Sequence, residues 1–172
     1  MIVLGIDPGT AVTGYGVVKQ EHSRAALLIE CGVIRTRPSD TLPQRLREIH
    51  AGVTELIERH RPDALAIEDI FYARNVRTTI VLGHARGVIL LAAIQAEIEI
   101  SEYPPAEIKK AIVGNGNATK QQVQFRVSRL LRLKTAPQPS DAADGVAAAL
   151  TRLMSVQLPR IADELALLAA RR

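Results

Sequence analysis

Short apolar runs and one-sided apolar stripes alternate along the chain. Ile2 to Ile6 is an unbroken run of Ile, Val, Leu and Gly that ends at a Pro-Gly turn, which predicts a buried strand. Gly14 to Lys19 gives a second strand, near enough in sequence to pair antiparallel with the first, and Leu27 to Thr36 a third. The period then changes. Leu42, Leu46, Ile49, Val53, Leu56 and Ile57 recur at three- and four-residue steps. That is the stripe of an amphipathic helix starting near Thr41, and Pro62 stops it. Ala64 to Glu68 is a short buried strand. A long helix, apolar on much of its circumference, follows from about Arg77 to Glu97, then a fifth strand from Ile98 to Tyr103. Pro105 suits the first turn of a short helix ending at Val113. The stretch GNGNATK is a loop. Thr119 to Leu133 is a helix in which Thr119 and Gln122 have capping-box spacing. An Ala-rich helix runs from Asp141 to about Ser155.

Three strands joined by short turns, followed by helix, strand, helix and strand, predict an α/β domain. Its five-stranded mixed sheet has the first three strands antiparallel and helices on both faces. A crossover through the first helix brings Ala64–Glu68 parallel to a neighbour, and the first strand is the expected one. Residues 1–155 form one domain. The tail, 156–172, is expected to be either a loose amphipathic helix or disordered.

Composition narrows the class. With 172 residues and 47% hydrophobic content, the chain buries a real core. Twenty-two basic against 18 acidic residues leave a net charge of +4, which permits a polyanionic partner without requiring one. Cys31 is the sole cysteine, so disulfides and a zinc cluster are excluded; it is expected in the core. No two of His22, His50, His60 and His84 have metal-ligand spacing. The most apolar window, Val88 to Ile94, is too short to cross a bilayer. No charged stretch precedes an apolar one at the start, so no signal peptide is expected. A cytoplasmic, membrane-free setting fits.

Asp7 and Glu68 share a context: each follows a short apolar strand and precedes a turn or loop. If the two strands lie side by side and parallel, both carboxylates leave one edge of the sheet, where open α/β sheets place their sites. Asp141 and Asp144 share a face at the start of a helix. Four converging carboxylates repel by about 1 kcal/mol per pair at 4 Å in bulk water and about 4 at intermediate dielectric. Two divalent cations relieve this; hard oxygen ligands suit Mg²⁺ or Mn²⁺, and such a pair clamps a phosphodiester. Taken singly, Asp7 is equally a turn residue and Asp141 equally a helix-start acid. Glu68 is harder to account for as a turn residue, Asp144 lies beyond the best of the helix dipole, and Asp69 alternates to the other side of its strand as solvated surface.

With these residues in place, the chain resembles RuvC-type Holliday-junction resolvases. LGIDPGTAVTGYGVV, AIEDIFYARN, LGHARGV, VGNGNATK and PSDAADGVAAAL fall in that family's order and spacing over most of the first 150 residues. The resemblance implies a ribonuclease-H-like fold and a homodimeric, Mg²⁺-dependent endonuclease of recombination and repair. It implies two metal ions per subunit, cleavage to 5′-phosphate and 3′-hydroxyl ends, and cooperation with a branch-migration motor. It matches Asp7, Glu68, Asp141 and Asp144 to the catalytic acids, Lys109 and Lys120 to the important basic residues, and Phe71 to a wedge aromatic. Gly145 departs from the family's usual Ala, at a helix cost of up to about 1 kcal/mol. Asp7 would then be a ligand held by a buried strand, with Gly9 allowing a sharp turn beside it.

Phe71 and Tyr72 stand out in a chain with 3% aromatics and no Trp, and are placed to stack on a distorted base or else to pack inside. Arg74, Arg77 and Lys110 are candidate phosphate contacts or ordinary surface charges. Arg126, Arg129 and Arg132 repeat on one helix face, solvated or tracking DNA. Gly83 and Gly87, four apart on the long helix, permit close packing on its own sheet or on a second copy. Three other functions compete. An actin-like ATPase would need a duplicated domain for which 172 residues leave no room. A DNA-binding module with a decayed site conflicts with the presence of all four acids. A ribonuclease-H-like nuclease acting on RNA is separated from a junction enzyme only by Phe71 and the two lysines.

Overall fold

The structure, a computed structural model, describes residues 1–21, 25–69 and 76–169, with side chains through residue 156. The five strands are β1 (Ile2–Asp7), β2 (Val12–Gln20), β3 (Ala26–Arg35), β4 (Ala64–Glu68) and β5 (Glu99–Tyr103). They form one sheet in the order β3-β2-β1-β4-β5. The pairs β1–β2 and β2–β3 are antiparallel; β1–β4 and β4–β5 are parallel. The expected neighbour of Ala64–Glu68 is the observed one, with Ile6 opposite Ile67.

Alternation along the strands explains two cores. Leu4, Ile6, Leu65 and Ile67 point to one face and are fully buried under α1 (Leu42–His60) and α2 (Val76–Gln95). Each such side chain contributes roughly 1.5–3 kcal/mol of burial. Val3, Val18 and Ala66 point to the other face, under α3 (Pro105–Val113), α4 (Lys120–Leu130) and α5 (Ser140–Ala169). Cys31, expected in the core, is only half-buried at the margin of this second cluster. It lies on the outermost strand, where one side has no neighbour.

Helix ends follow local chemistry. The Thr41 amide donates to Gln44 Oε1 at 2.8 Å to start α1, and Arg61 closes it in the left-handed region at φ 45° ahead of Pro62. Thr119 and Gln122 make the expected reciprocal cap of α4. That helix stops three residues earlier than its apolar period predicts. Arg132 turns to φ 54° and the Leu133 amide donates to Ser128 O at 2.8 Å, while Leu131 buries. Arg132 therefore leaves the helix that carries Arg126 and Arg129. The last helix exceeds its expected end at Ser155 and continues to Ala169.

By length and composition α2 is apolar enough to cross a membrane, which the short Val88–Ile94 window did not suggest. Its inner residues Ala85, Ile89, Ala92 and Ala93 pack in the core, whereas Val76, Ile80, Leu91 and Ile94 lie 71, 56, 47 and 61% exposed.

The α5 side of the sheet is built from small residues. Gly5, Gly14 and Gly16 face the backbone of α5, and Gly145 faces β2. A Cβ at Gly145 would stand 2.6 Å from Tyr15 Cα, too close for any pair of carbons. Gly145 is thus required by contact, and its helix-propensity cost is secondary. Gly145→Ala should destabilise the protein by about 1–3 kcal/mol, although Ala is the better helix former. Urea denaturation checks the sign; a stabilised variant would contradict the close approach.

Candidate metal centre

Asp7 closes β1, a strand paired on both sides, and leads into a turn that the chain ties down three times. The buried Thr13 hydroxyl donates to Gly9 O at 2.6 Å and accepts from the Gly9 amide at 3.4 Å. The Thr36 hydroxyl donates to Thr10 O at 2.7 Å. The turn is so tight that a Cβ at Gly9 would collide with the Val12 carbonyl, so glycine is needed there for room rather than for a positive φ.

Glu68 closes the adjacent parallel strand and leaves the sheet at the same edge. Asp141 and Asp144 sit in the opening turns of α5, which the glycine seam brings onto β1 and β2. One oxygen each from Asp7, Asp141 and Asp144 lies within 4.8 Å of the others. Glu68 is outside that tight trio, yet with Asp7, Asp144, Lys109 and Lys120 it lines a cleft of about 240 Å³. Ile108, Val123 and Ala147 supply its apolar wall. Lys120 Nζ stands 2.6 Å from Asp144 Oδ2.

The charges are held at a cost. Burial pushes the Asp7 carboxyl up to about 8, reinforced by Glu68, Asp144 and Asp141 and opposed by Lys120. Burial, then Asp144, raises Glu68 to about 7 against Lys109 and Lys120. Asp144 is also raised by burial, with the Lys120 hydrogen bond pulling the other way. For Lys120, burial works downward but is outweighed by the bond to Asp144 and the charges of Asp144, Asp141 and Asp7, so it is raised. Two lysines do not neutralise four acids. The donor set is hard oxygen without His or Cys, which fits Mg²⁺ or Mn²⁺.

Other candidates are placed differently. Phe71, Tyr72 and Arg74 lie outside the described residues. Arg77 is exposed in the first turn of α2, and Lys110 is exposed near the end of α3, off the cleft wall. Asp69, expected as plain solvated surface, instead faces Arg86 of α2 across 3.3 Å. Arg86 was not legible as a partner of the site, though a cation in the middle of an apolar helix was a signal. His60, given no role from sequence, joins Arg59 and Tyr15 around Glu30.

Raised carboxyl pKa values set a stability profile. Between about pH 4 and 8 the folded chain keeps a proton on Asp7 that the unfolded chain has released. Stability of the metal-free protein therefore falls as pH rises through that window. In chelator, the urea midpoint should drop from pH 5 to pH 8. Asp7→Asn should flatten the drop and raise the midpoint at pH 8. Parallel profiles for the two proteins would remove Asp7 as its source.

Known proteins are similar to this chain in sequence and fold. The family profile described as "Crossover junction endodeoxyribonuclease RuvC" matches residues 3–152. The RuvC of Rubrobacter xylanophilus is 49% identical over 154 residues, 90% of this chain and 86% of its own. That of Pelotomaculum thermopropionicum is 45% identical over 150 residues, 87% and 91% of the two chains. Among solved structures, Thermus thermophilus RuvC superposes with a TM-score of 0.85 at 38% identity, over 92% of this chain and 97% of that one. The T. thermophilus protein in complex with Holliday junction substrate gives 0.84 at 36% identity, over 92% and 96%. The chain belongs to the RuvC family of crossover junction endodeoxyribonucleases, DNA-cleaving hydrolases on a ribonuclease-H-like sheet.

Proposed function

We propose that the chain resolves four-way DNA junctions in recombination and repair, as a cytoplasmic homodimer working with a branch-migration motor. It nicks two strands of like polarity and leaves 5′-phosphate and 3′-hydroxyl ends. The observation that carries this reading is the meeting of Asp7, Asp141 and Asp144 within 4.8 Å, beside Glu68 and two lysines. Asp7, Glu68, Asp141 and Asp144 would hold two divalent cations, Mg²⁺ or Mn²⁺. When bound, such a pair activates water and stabilises the leaving oxygen of a phosphodiester. Lys109 and Lys120 line the cleft where negative charge grows on the phosphate, and an ammonium already placed there stabilises that charge. Asp7 is held by strand and turn and so needs no reorganisation as the reaction proceeds.

Charge supports a DNA substrate. From Ile108 to Ser140 the chain has seven basic residues and no acid, while the remainder has fifteen basic and eighteen acidic. This basic stretch comprises most of α3, the following loop and α4, which begins at the cleft with Lys120. Phe71, Tyr72, Arg74, Arg77 and Lys110 are assigned to DNA contact on the family resemblance.

The outer face of α2 supports the dimer. Val76, Ile80, Leu91 and Ile94 form an exposed apolar stripe, and none of the described residues lies within 4 Å of a Cβ built on Gly83 or Gly87. An isologous contact along this stripe gives two sites related by a twofold axis, matching the symmetry of a four-way junction.

Two experiments test the reading. The protein is incubated with a four-way junction, linear duplex and RNA–DNA hybrid, with and without Mg²⁺ or Mn²⁺, and cuts are mapped. Paired cuts confined to the junction are expected. Asp7→Asn should lower nicking by more than the roughly 10–100-fold of an outer-shell change, with junction affinity retained; persistent nicking removes Asp7 from the chemistry. Preferential cutting of the hybrid would favour the RNA-directed alternative. Separately, Ile80→Glu should convert dimer to monomer in sedimentation while keeping the far-UV circular dichroism of the folded chain. An unchanged dimer would move the contact off α2.

A further inference from the structure

Arg86 lies on α2 among inner residues that are otherwise apolar, with its side chain largely covered. It pairs with two carboxylates: Asp69 Oδ1 at 3.3 Å, and Glu102. The Asp69 amide donates to Tyr103 O at 2.8 Å, and Glu68 is the ladder partner of Tyr103. One guanidinium thus ties together the residue after Glu68 and the residue before Glu68's strand partner. Stability alone is a poor reason for it. Among the described residues the buried Arg86 Nε has no hydrogen-bond partner, and buried ion pairs are often matched or exceeded by apolar packing of the same volume.

We propose that Arg86 is a positioning residue of the nuclease: by fastening Asp69 to Glu102 it fixes the end of β4, so that Glu68 enters the cleft at one place. This rests on the metal-dependent function proposed above. The charges acting on Glu68 come from Asp144, Lys109 and Lys120. Arg86 works through geometry, its Nη2 meeting both Asp69 and Glu102 at once. The tie also joins α2, whose outer face is assigned to the dimer, to the metal centre.

The test uses the full chain and the variants Arg86→Gln, Arg86→Lys and the double variant Arg86→Gln, Glu102→Gln. Mn²⁺ binding is measured by calorimetry without DNA, nicking at saturating protein, junction affinity in chelator, and melting temperature. Arg86→Gln should weaken Mn²⁺ binding and nicking by about 10-fold or more, in the range of outer-shell changes, with junction affinity within about twofold. Arg86→Lys should recover part of both. The double variant removes the facing carboxylates' repulsion, so it should regain melting temperature but not Mn²⁺ affinity. If the single variant fails to fold, the double variant still carries the test. Wild-type Mn²⁺ affinity in Arg86→Gln would overturn the proposal. So would a double variant that recovers stability, Mn²⁺ affinity and nicking together, since Arg86 would then only neutralise Glu102. A wild-type protein that binds Mn²⁺ but nicks no junction would count against the proposed function, while the Mn²⁺ measurements would still judge Arg86.

Discussion

Asp7, Asp141 and Asp144 bring oxygens within 4.8 Å of one another in a cleft where burial already raises Asp7 and Asp144. Apolar packing would never gather them, and each pair, when both members are ionised, costs about 4 kcal/mol at such range and intermediate dielectric. The backbone must hold them against their own repulsion. It does so with two parallel strands that deliver Asp7 and Glu68 to one edge, and with a helix pressed onto the sheet so closely that glycine is required on both sides. The small residues of α5 and of the strands beneath it are the mechanical means by which an unfavourable charge arrangement is sustained. Side chains one methyl larger would lift α5, and Asp141 and Asp144 with it.

Much of this was visible along the chain. Apolar runs, the helical stripe from Leu42 to Ile57, and proline and capping signals place the five strands and five helices of the described residues. The shared context of Asp7 and Glu68 gives their common edge as soon as their strands are taken as parallel neighbours. Asp141 and Asp144 are a pair by helical spacing alone. Their meeting with Asp7 is a property of three-dimensional approach, and the resemblance of five motifs to one family supplied it where spacing was silent.

What could not be read has a physical reason in each case. Propensity treats Gly145 as a weak helix residue, whereas its role is set by the Tyr15 backbone from another element. The early end of α4 is decided by the burial of Leu131 and the bond from Leu133 to Ser128, neither of which alters the apolar period. Asp69 looked solvated because strand alternation says which side a residue faces but not what comes to meet it there. Its partner, Arg86, arrives from a helix seventeen positions later in the chain.

That helix shows why amphipathicity fails as a guide when an apolar inner face is matched by an exposed outer face that is apolar too. Along α2 the apolar residues are spread around the circumference, which by itself describes a buried or membrane-crossing segment. Yet its inner side is mostly Ala, small enough to lie close to α1, and its outer side carries larger Ile, Leu and Val in the open. Size, rather than polarity, distinguishes the two faces. The one cation on the inner side is engaged by Asp69 and Glu102, beside the ends of β4 and β5. A helix with small residues inward, large ones outward and a single inward arginine at the sheet edge therefore links an exposed apolar surface to the strand end that bears Glu68.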